Sequence, residues 1–299
     1  MTRASGAVLA LVAALFYGAS FPLAKALLNR DLPPLILAGG FYLAQAVVFG
    51  AIRLVHRAPI DQRITRGDLK WLAGAILSGG ILAPGLYFYG QKLVAAHVGS
   101  LLATTEIIFT TAIALWFFKE RLSRREAVSF LLIISGGVAV ALGGERGEGS
   151  MWGAPLVVAG FLMWGLDNNF TTRIAHRDPL QISMLKGLVG GLANLALWWA
   201  FANEEPPALD AGMIAAIGAV GAICFGLSLT LFIYSMRSIG ASRSAALFGT
   251  NPAFAVVLSF ALLAETPNGW AIAGGIFVTA GVASYLTRKV KPGAERTPG

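Results

Sequence analysis

The sequence predicts an all-α integral membrane protein whose ten transmembrane helices form two inverted five-helix repeats around a central cavity. Three observations support this fold class. Hydrophobic residues make up 56% of the 299-residue chain and charged residues only 13%, whereas a soluble domain carries about 25% charged residues. Apolar stretches of transmembrane length follow one another with short polar connections. The second half of the chain also repeats features of the first half at a nearly constant shift.

The apolar stretches define the predicted transmembrane helices. A helix needs about 20 mostly apolar residues to cross a bilayer, and the connections between the stretches leave no room for a separate catalytic domain. The first stretch also fits a signal peptide, because Arg3 precedes it, but its counterpart in the second half favours a transmembrane helix. The ten predicted spans are 5–28, 35–55, 71–91, 96–118, 126–142, 152–172, 180–202, 212–234, 242–263 and 269–287.

The basic residues predict the orientation of these spans. With the N-terminus in the cytoplasm, eighteen of the 23 Lys and Arg residues lie on the cytoplasmic side and three on the other side. Cytoplasmic loops carry the excess of such residues, so both termini are predicted to be cytoplasmic. Lys186, about two turns into the seventh span, is expected to extend to the cytoplasmic surface. The net charge of +8 therefore reflects topology, and no nucleic-acid partner is predicted.

A shift of the chain against itself reveals the repeat. A shift of 145 residues superposes Tyr89 on Tyr234 and Glu120 on Glu265, and a shift of 147 superposes Tyr17-Gly18 on Trp164-Gly165. Each repeat holds five helices, an odd number, so the second copy enters the membrane upside down. The turn at 119–125 has four basic residues, and its counterpart at 264–268 has none. The predicted units are 1–143, 152–288 and a basic cytoplasmic tail at 289–299. Inverted repeats of this kind are typical of secondary transporters.

With these features the chain resembles the EamA-type branch of the drug/metabolite transporter superfamily. The resemblance rests on the five-plus-five helices, the aromatic-Gly pair early in each unit, the Glu turn after each fourth helix and Asn251-Pro252 in the ninth. It covers about 5–287 and is strongest toward bacterial exporters of aromatic amino acids. It implies alternating-access export across the inner membrane by a monomer or weak dimer without a cofactor. One departure is Glu106-Ile107, which stands where the second unit has Asn251-Pro252.

Three prolines indicate interrupted helices. Pro22, Pro84 and Pro252 cannot donate to the carbonyls one turn earlier, at Gly18, Gly80 and Phe248. Such carbonyls become available to a ligand where they line a cavity. We therefore predict a cavity among helices one, three and nine and their counterparts six, eight and four, although ordinary kinks remain the alternative at each proline.

The candidate site residues are the polar and aromatic groups of these helices. Glu106 lies near the middle of the fourth span, where an ionisable group is costly, and it is predicted to contact substrate or take up a proton; polar packing between helices is the alternative. Asp167, nearer the cytoplasmic end, is a second candidate for proton coupling. Trp164, Asn168 and Thr171 share one helix face. The predicted substrate contacts are Tyr17, Ser20, Tyr87, Tyr89, Glu106, Thr110, Trp164, Asn168, Thr171, Ser244, Phe248 and Asn251.

The residue types in the chain argue against several classes of function and of substrate. The three histidines do not form a His-Glu-x-x-His motif, and no Gly-x-Ser-x-Gly or phosphate-binding loop occurs, so neither an enzyme nor a metal site is predicted. A channel usually needs a ring of charges or identical subunits. A phosphate carrier would need deep basic residues, and a multidrug cation pump a carboxylate in the first helix. The remaining substrate class is a neutral or zwitterionic solute, which agrees with the amino-acid exporters that the chain resembles. Transport of another metabolite or drug of the superfamily is the alternative. The sequence does not determine whether transport is coupled to protons.

Overall fold

A computed structural model describes residues 3–56, 62–118, 124–143, 150–201, 207–239, 244, 247–263 and 269–286, and every regular element within them is helical. The predicted Glu turns at Glu120 and Glu265 and the basic tail at 289–299 lie outside these residues.

The first half contains seven helices among the described residues. A short 3₁₀ turn, Arg66–Asp68, precedes α3, and a π-helical segment, Ile76–Leu82, joins α3 to α4; we call it the first π segment. The predicted span 96–118 is divided at Ala103 into α5 and α6. The helices are α1 (Arg3–Leu28), α2 (Pro34–His56), α3 (Leu69–Ala75), α4 (Ala83–Leu93), α5 (Ala96–Leu102), α6 (Thr104–Phe118) and α7 (Arg124–Gly143).

The second half is built in a similar way. The second π segment, Val220–Leu227, joins α10 to α11. Asp210 begins α10 as an N-cap, because its side chain accepts a hydrogen bond from the backbone N–H of Met213 at 2.7 Å. The helices are α8 (Gly153–Ile174), α9 (Pro179–Phe201), α10 (Ala211–Ala219), α11 (Ser228–Ile239), α12 (Asn251–Leu263) and α13 (Gly269–Leu286).

Within the described residues, five helical stretches are long and apolar enough to cross a membrane. They correspond to the first, second, third, seventh and eighth of the ten predicted spans. Shorter apolar helices occur at the positions of the fifth, ninth and tenth. The helical membrane character predicted from composition agrees with the structure, and the count of ten spans stays a prediction. The five stretches are Ser5–Leu28, Pro34–Val55, Arg66–Leu93, Pro179–Phe201 and Ala211–Ile239.

The two π segments occupy matching places in the chain. Each lies in the middle of a long span, and their last residues, Leu82 and Leu227, are separated by the 145-residue shift found in the sequence. A π-helix bonds each N–H to the carbonyl five residues earlier, so it changes the register of the hydrogen-bond ladder and frequently marks a functional region. The third and eighth spans are thus irregular at equivalent positions.

The packing of α1 and α8 is also matched. The helix α1 packs against α11 and α12, and α8 packs against α4 and α6. A Cβ on Gly18 would lie 3.0 Å from both the Phe254 Cβ and the Ala255 nitrogen, and a Cβ on Gly165 would lie 2.9 Å from the Phe109 Cβ and 3.0 Å from the Thr110 nitrogen. The 145-residue shift relates Phe109 to Phe254 and Thr110 to Ala255. Only glycine permits such close approach at these two crossings.

The helices α2 and α9 form a close seam. A Cβ on Gly187 would lie 2.6 Å from the carbonyl oxygen of Tyr42, and one on Gly191 would lie 2.9 Å from the backbone nitrogen of Leu43. The Gln45 amide nitrogen donates to the carbonyl of Ser183 at 2.7 Å across the same seam. Small residues allow the two backbones to come into contact, as is typical of helix pairs in membranes.

Candidate functional site

A central cavity lies where α1, α2, α6, α8, α9 and α11 meet. Its volume is about 60 Å³, enough for a few water molecules. It lies between the middle of the bundle and the end at which α8 finishes and α9 begins. Toward the other end, Phe21, Tyr87, Phe88 and Phe161 are buried against one another. The lining residues are Tyr17, Tyr42, Gln45, Glu106, Trp164, Asp167, Asn168, Lys186, Phe225, Ser228, Leu229, Phe232 and Phe248.

Aromatic rings form one side of the cavity. The ring of Tyr17 lies edge-on to Trp164 and Phe225, at centroid distances of 6.3 Å and 5.9 Å, and its centroid is 5.2 Å from that of Phe248. Phe248 in turn stacks on Phe232 at 4.3 Å. Edge-on and offset ring pairs are favourable beyond the area they bury. This wall offers flat apolar faces to an aromatic or aliphatic side chain.

Glu106, at the start of α6, is buried and held by neutral donors. The Asn168 amide donates to its Oε1 at 2.7 Å, and the Tyr17 hydroxyl donates to its Oε2 at 3.5 Å. The same amide lies 3.2 Å from the Thr110 hydroxyl oxygen, one turn further along α6. These bonds join α1, α6 and α8 through one carboxyl group. Among the described residues, Glu106 takes part in no ion pair.

An ion pair between α8 and α9 forms the other polar side. The Lys186 ammonium lies 2.6 Å from each carboxylate oxygen of Asp167, and the Thr171 hydroxyl donates to the Asp167 Oδ1 at 2.9 Å. Lys186 is only 2% exposed. The expectation that Lys186 extends to the cytoplasmic surface is therefore wrong: an acidic partner on the neighbouring helix holds it inside. The helix bundle therefore does contain a buried basic side chain, but the carboxylate of Asp167 neutralises its charge.

Of the six helices predicted to surround the cavity, four are interrupted. The third and eighth contain the π segments, the fourth is divided at Ala103, and the ninth has a turn at 249–250. The carbonyls freed at these places form hydrogen bonds within the fold. The Gly79 carbonyl, in the first π segment, accepts hydrogen bonds from Tyr42 and, at 3.1 Å, from the Trp164 indole. The Gly80 carbonyl that Pro84 leaves free accepts from the Asn194 amide at 2.8 Å. The Phe248 carbonyl left free by Pro252 accepts from the Asn251 side chain at 2.9 Å.

The helices that contain Pro22 and its counterpart are not broken. The helix α1 continues through Pro22, and α8 is continuous as well. A proline removes one hydrogen bond, but neighbouring helices can maintain the helical path in a membrane bundle. Gly18 instead has a packing role, because it brings α1 within contact of the Asn251 backbone.

Several predicted contacts lie away from the cavity. Tyr89 is 47% exposed, since it follows Tyr87 by two positions and points to the opposite side of α4. Tyr87 is buried among the aromatic residues beyond the cavity. The other five make bonds within or between helices: Ser20 to the Tyr17 carbonyl, Thr110 to the Asn168 amide, Thr171 to Asp167, Ser244 to Ser235 and Asn251 to the Phe248 carbonyl.

The cavity also contains residues that the sequence reasoning passed over. Tyr42 and Gln45 are three positions apart in α2, on one face of an otherwise apolar span, which is a usable signal for a polar lining. Ser228 lines the cavity from α11, and its hydroxyl donates to the Ala13 carbonyl at 2.8 Å. Phe225, Leu229 and Phe232 have no signal of their own, because they resemble every other apolar residue of their span.

Two ion pairs lie at the end of the bundle nearer the cavity. Arg53, near the end of α2, pairs with Asp178 at 2.6 Å, and Arg177 pairs with Asp68 at 2.9 Å. Asp178 also caps α9, because its Oδ1 accepts from the backbone N–H of Gln181 at 2.9 Å. These contacts connect the ends of α2 and α8 to the beginnings of α3 and α9.

Two substitutions can separate the role of Asp178 as helix cap from its role in the ion pair with Arg53. We expect Asp178→Ala to destabilise the protein by about 1–2 kcal/mol, because it removes the cap and the ion pair. Asp178→Asn should cost less than about 1 kcal/mol, because the amide oxygen still accepts at the cap position. Thermal unfolding in detergent compares the two variants with the parent. Equal losses for both variants would assign the whole effect to the ion pair.

The comparisons with known proteins agree with this architecture. The model of the EamA-like transporter family matches residues 4–142 and 151–287. An uncharacterized transporter of Methanothermobacter thermautotrophicus is 27% identical, over 94% of this chain and 86% of its own. A probable amino-acid metabolite efflux pump of Salmonella typhimurium is 25% identical, over 94% of both chains. A probable terminal-alkyne amino-acid exporter of Streptantibioticus cattleyicolor is 26% identical, over 87% of this chain and 88% of its own.

A solved structure shares the fold. A crystal structure whose chain is 18% identical superposes with a TM-score of 0.71, covering 96% of this chain and 99% of its own. At this identity the likeness concerns the fold alone.

Proposed function

Because the chain belongs to the EamA-like transporter family, we propose that this membrane transporter exports amino acids with aromatic or other hydrophobic side chains across the bacterial inner membrane. The observation that carries this proposal is the composition of the central cavity. The carboxyl group of Glu106, held by neutral donors, the Asp–Lys ion pair and a wall of aromatic rings line one small space. An amino acid has a charged backbone and an apolar side chain, and each part has a matching surface there. At about 60 Å³ the cavity must widen to admit such a solute.

The polar groups favour a zwitterionic solute over an anionic one. The only basic side chain that lines the cavity in the described part of the chain is Lys186, and Asp167 neutralises it. A phosphate or nucleotide-sugar would face two carboxylates, Glu106 and Asp167, with one ammonium. The two relatives named as amino-acid exporters or efflux pumps support the same substrate class.

We further propose that the transporter works by alternating access between two inverted five-helix repeats, 1–143 and 152–288. Three observations support the repeat. The family model matches the chain twice, in residues 4–142 and 151–287. The π segments end at residues related by the 145-residue shift. The glycine crossings at Gly18 and Gly165 also meet partners related by that shift. Two copies around one cavity allow two groups of helices, each with members from both repeats, to rock about the cavity and expose it to each side in turn.

The inverted topology is testable by cysteine labelling. The chain has one cysteine, Cys224, so Cys224→Ala gives a background for single cysteines at Arg124 and Glu265. We expect a membrane-impermeant maleimide added to intact cells to label the cysteine introduced at Glu265 and not the one at Arg124, which faces the cytoplasm. Both should label after the membrane is permeabilised. Labelling of both positions from the same side would overturn the inverted repeat.

Transport itself is tested in liposomes. Purified protein loaded with one unlabelled amino acid should exchange it for the labelled form, and the aromatic and branched-chain members of a full panel should exchange fastest. The assay is run with and without a pH gradient, which shows whether a proton takes part. Protein-free liposomes are the control. Exchange of no amino acid at all would remove the proposed substrate class.

A further inference from the structure

The central cavity contains an uneven set of charges. Asp167 and Glu106 supply two carboxyl groups, and Lys186 supplies one ammonium. All three are buried, with exposed fractions of 6%, 7% and 2%. Buried charges are tolerated when they are paired. The pair on α8 and α9 satisfies this condition, whereas the carboxyl group of Glu106 is held by the neutral donors Asn168 and Tyr17.

The Asp–Lys pair is also placed so that its members can change partners. The Lys186 ammonium contacts both oxygens of Asp167 and lies 3.4 Å from the Thr171 hydroxyl. The side chains of both Asp167 and Lys186 line the cavity. A molecule in the cavity therefore meets the ion pair directly. Asn168, next to Asp167 in the chain, is the residue that reaches Glu106, so Glu106 and the pair belong to one polar wall.

We propose that the cavity binds the zwitterionic backbone of an amino acid by exchange of ion-pair partners. The substrate carboxylate binds the Lys186 ammonium, and the substrate ammonium lies between Asp167 and Glu106. No covalent bond changes, and every charged group contacts one of opposite sign. The substrate ammonium is shared by two carboxylates, so the net charge of the set is −1 before and after a zwitterion binds. The proposal rests on the proposed function, since it names how that same cavity recognises its substrate.

This arrangement predicts a definite order of affinity for three related ligands: a zwitterion, an amine and an acid. A zwitterion satisfies Lys186, Asp167 and Glu106 together. An amine that lacks the carboxylate leaves the Asp–Lys pair intact and binds only beside Glu106. An acid that lacks the ammonium must displace Asp167 from Lys186 and leaves two carboxylates unopposed, which is the most costly outcome in a buried site. The aromatic wall binds the same side chain in all three cases, so the differences between the three ligands report the charges alone.

The test is competition during exchange in liposomes. The amino acid that exchanges fastest in the panel is used with its decarboxylated amine and its deaminated acid; for phenylalanine these are phenethylamine and 3-phenylpropionate. In the parent protein we expect the amine to compete about tenfold more weakly than the amino acid, and the acid about 100-fold more weakly, by the loss of one and of two charged contacts of about 1.4 kcal/mol each.

A charge-balanced double variant tests whether Asp167 and Lys186 cause this order of affinity. Asp167→Asn with Lys186→Met removes both members of the pair, so neither is left alone and buried. We expect the double variant to lose the preference for the amino acid over the amine. Both ligands then make only the ammonium contact to Glu106, so the amine should compete within about twofold of the amino acid. Lys92→Met removes an exposed lysine outside the cavity. This variant should show the same order of competition by the three ligands as the parent protein.

The outcomes separate the two proposals. If an amino acid exchanges but its amine competes equally well in the parent protein, or if the double variant keeps the parent preference, partner exchange is overturned and the proposed function stands. If no amino acid in the panel exchanges, both are overturned. The ligand series in the parent protein decides the question even where the double variant does not fold.

Discussion

Glu106→Gln should lower the rate of amino-acid exchange in liposomes by about tenfold to 100-fold. The carboxyl group is buried at the cavity, where a hydrogen bond or ion contact to a charged group contributes about 1.5–3 kcal/mol. Glutamine has nearly the same shape, and its amide oxygen can still accept the hydrogen bond from Asn168 that Glu106 accepts at 2.7 Å. The fold should therefore survive while the charge is lost. Initial rates of counterflow measure the effect.

Two further measurements complete the Glu106 experiment. Thermal unfolding in detergent should give the same midpoint for Glu106→Gln and for the parent protein. Tyr17→Phe, which removes the weaker 3.5 Å donor, should change exchange much less. Normal exchange by Glu106→Gln would show that the carboxyl group serves only to hold α1, α6 and α8 together.

Gly18→Leu and Gly165→Leu should each strongly destabilise the protein, by about 3 kcal/mol. A side chain at Gly18 would meet the Asn251 carbonyl oxygen at 2.6 Å, and one at Gly165 would meet backbone and Cβ atoms of α6 at about 3 Å. Backbone atoms cannot move aside as a flexible side chain can, so α1 and α8 would have to shift away from their partners. The yield of monodisperse protein and its unfolding midpoint in detergent measure the loss.

The chain provides a matched control for the glycine substitutions. A Cβ on Gly218, in α10, would meet nothing within 4 Å, so Gly218→Leu should change stability by less than about 0.5 kcal/mol. Leucine favours a helix more than glycine does, so a similar loss in all three variants would mean that close packing at the two crossings does not set the cost. A loss at only one of Gly18 and Gly165 would contradict the equivalence of the two crossings.

The sequence predicted the helical membrane fold well because composition and span length are strong signals. The five long spans lie close to their predicted limits, and the shift of 145 residues relates the two π segments. The π segments themselves were not predicted, because the Gly79-Gly80 pair and Pro84 indicate only an irregular helix. Pro22 shows the limit of that signal, since α1 continues through it.

The candidate site was predicted only in part. The structure places Tyr17, Glu106, Trp164, Asp167, Asn168 and Phe248 at the cavity, and their contact with substrate stays a prediction. The Asp167–Lys186 pair was missed because it depends on how α8 and α9 are rotated against each other, which no spacing within one helix reveals. The prediction placed Tyr87 and Tyr89 on one mixed face of the third helix, although residues two positions apart in a helix point in nearly opposite directions.

The seam between α2 and α9 determines which parts of the cavity can change during transport. With backbone atoms of α2 already in contact at Gly187 and Gly191, and with protein interiors close-packed, these two helices must move as a rigid body. Tyr42, Gln45 and Lys186 line the cavity from this one body, so we expect the spacing of their backbone positions to change little between states. The hydrogen bond from Tyr17 to Glu106 instead joins separate helices through side chains alone. We therefore expect reorientation to change the contacts that α1, α6 and α8 make around Glu106, and to leave the relative positions of α2 and α9 unchanged.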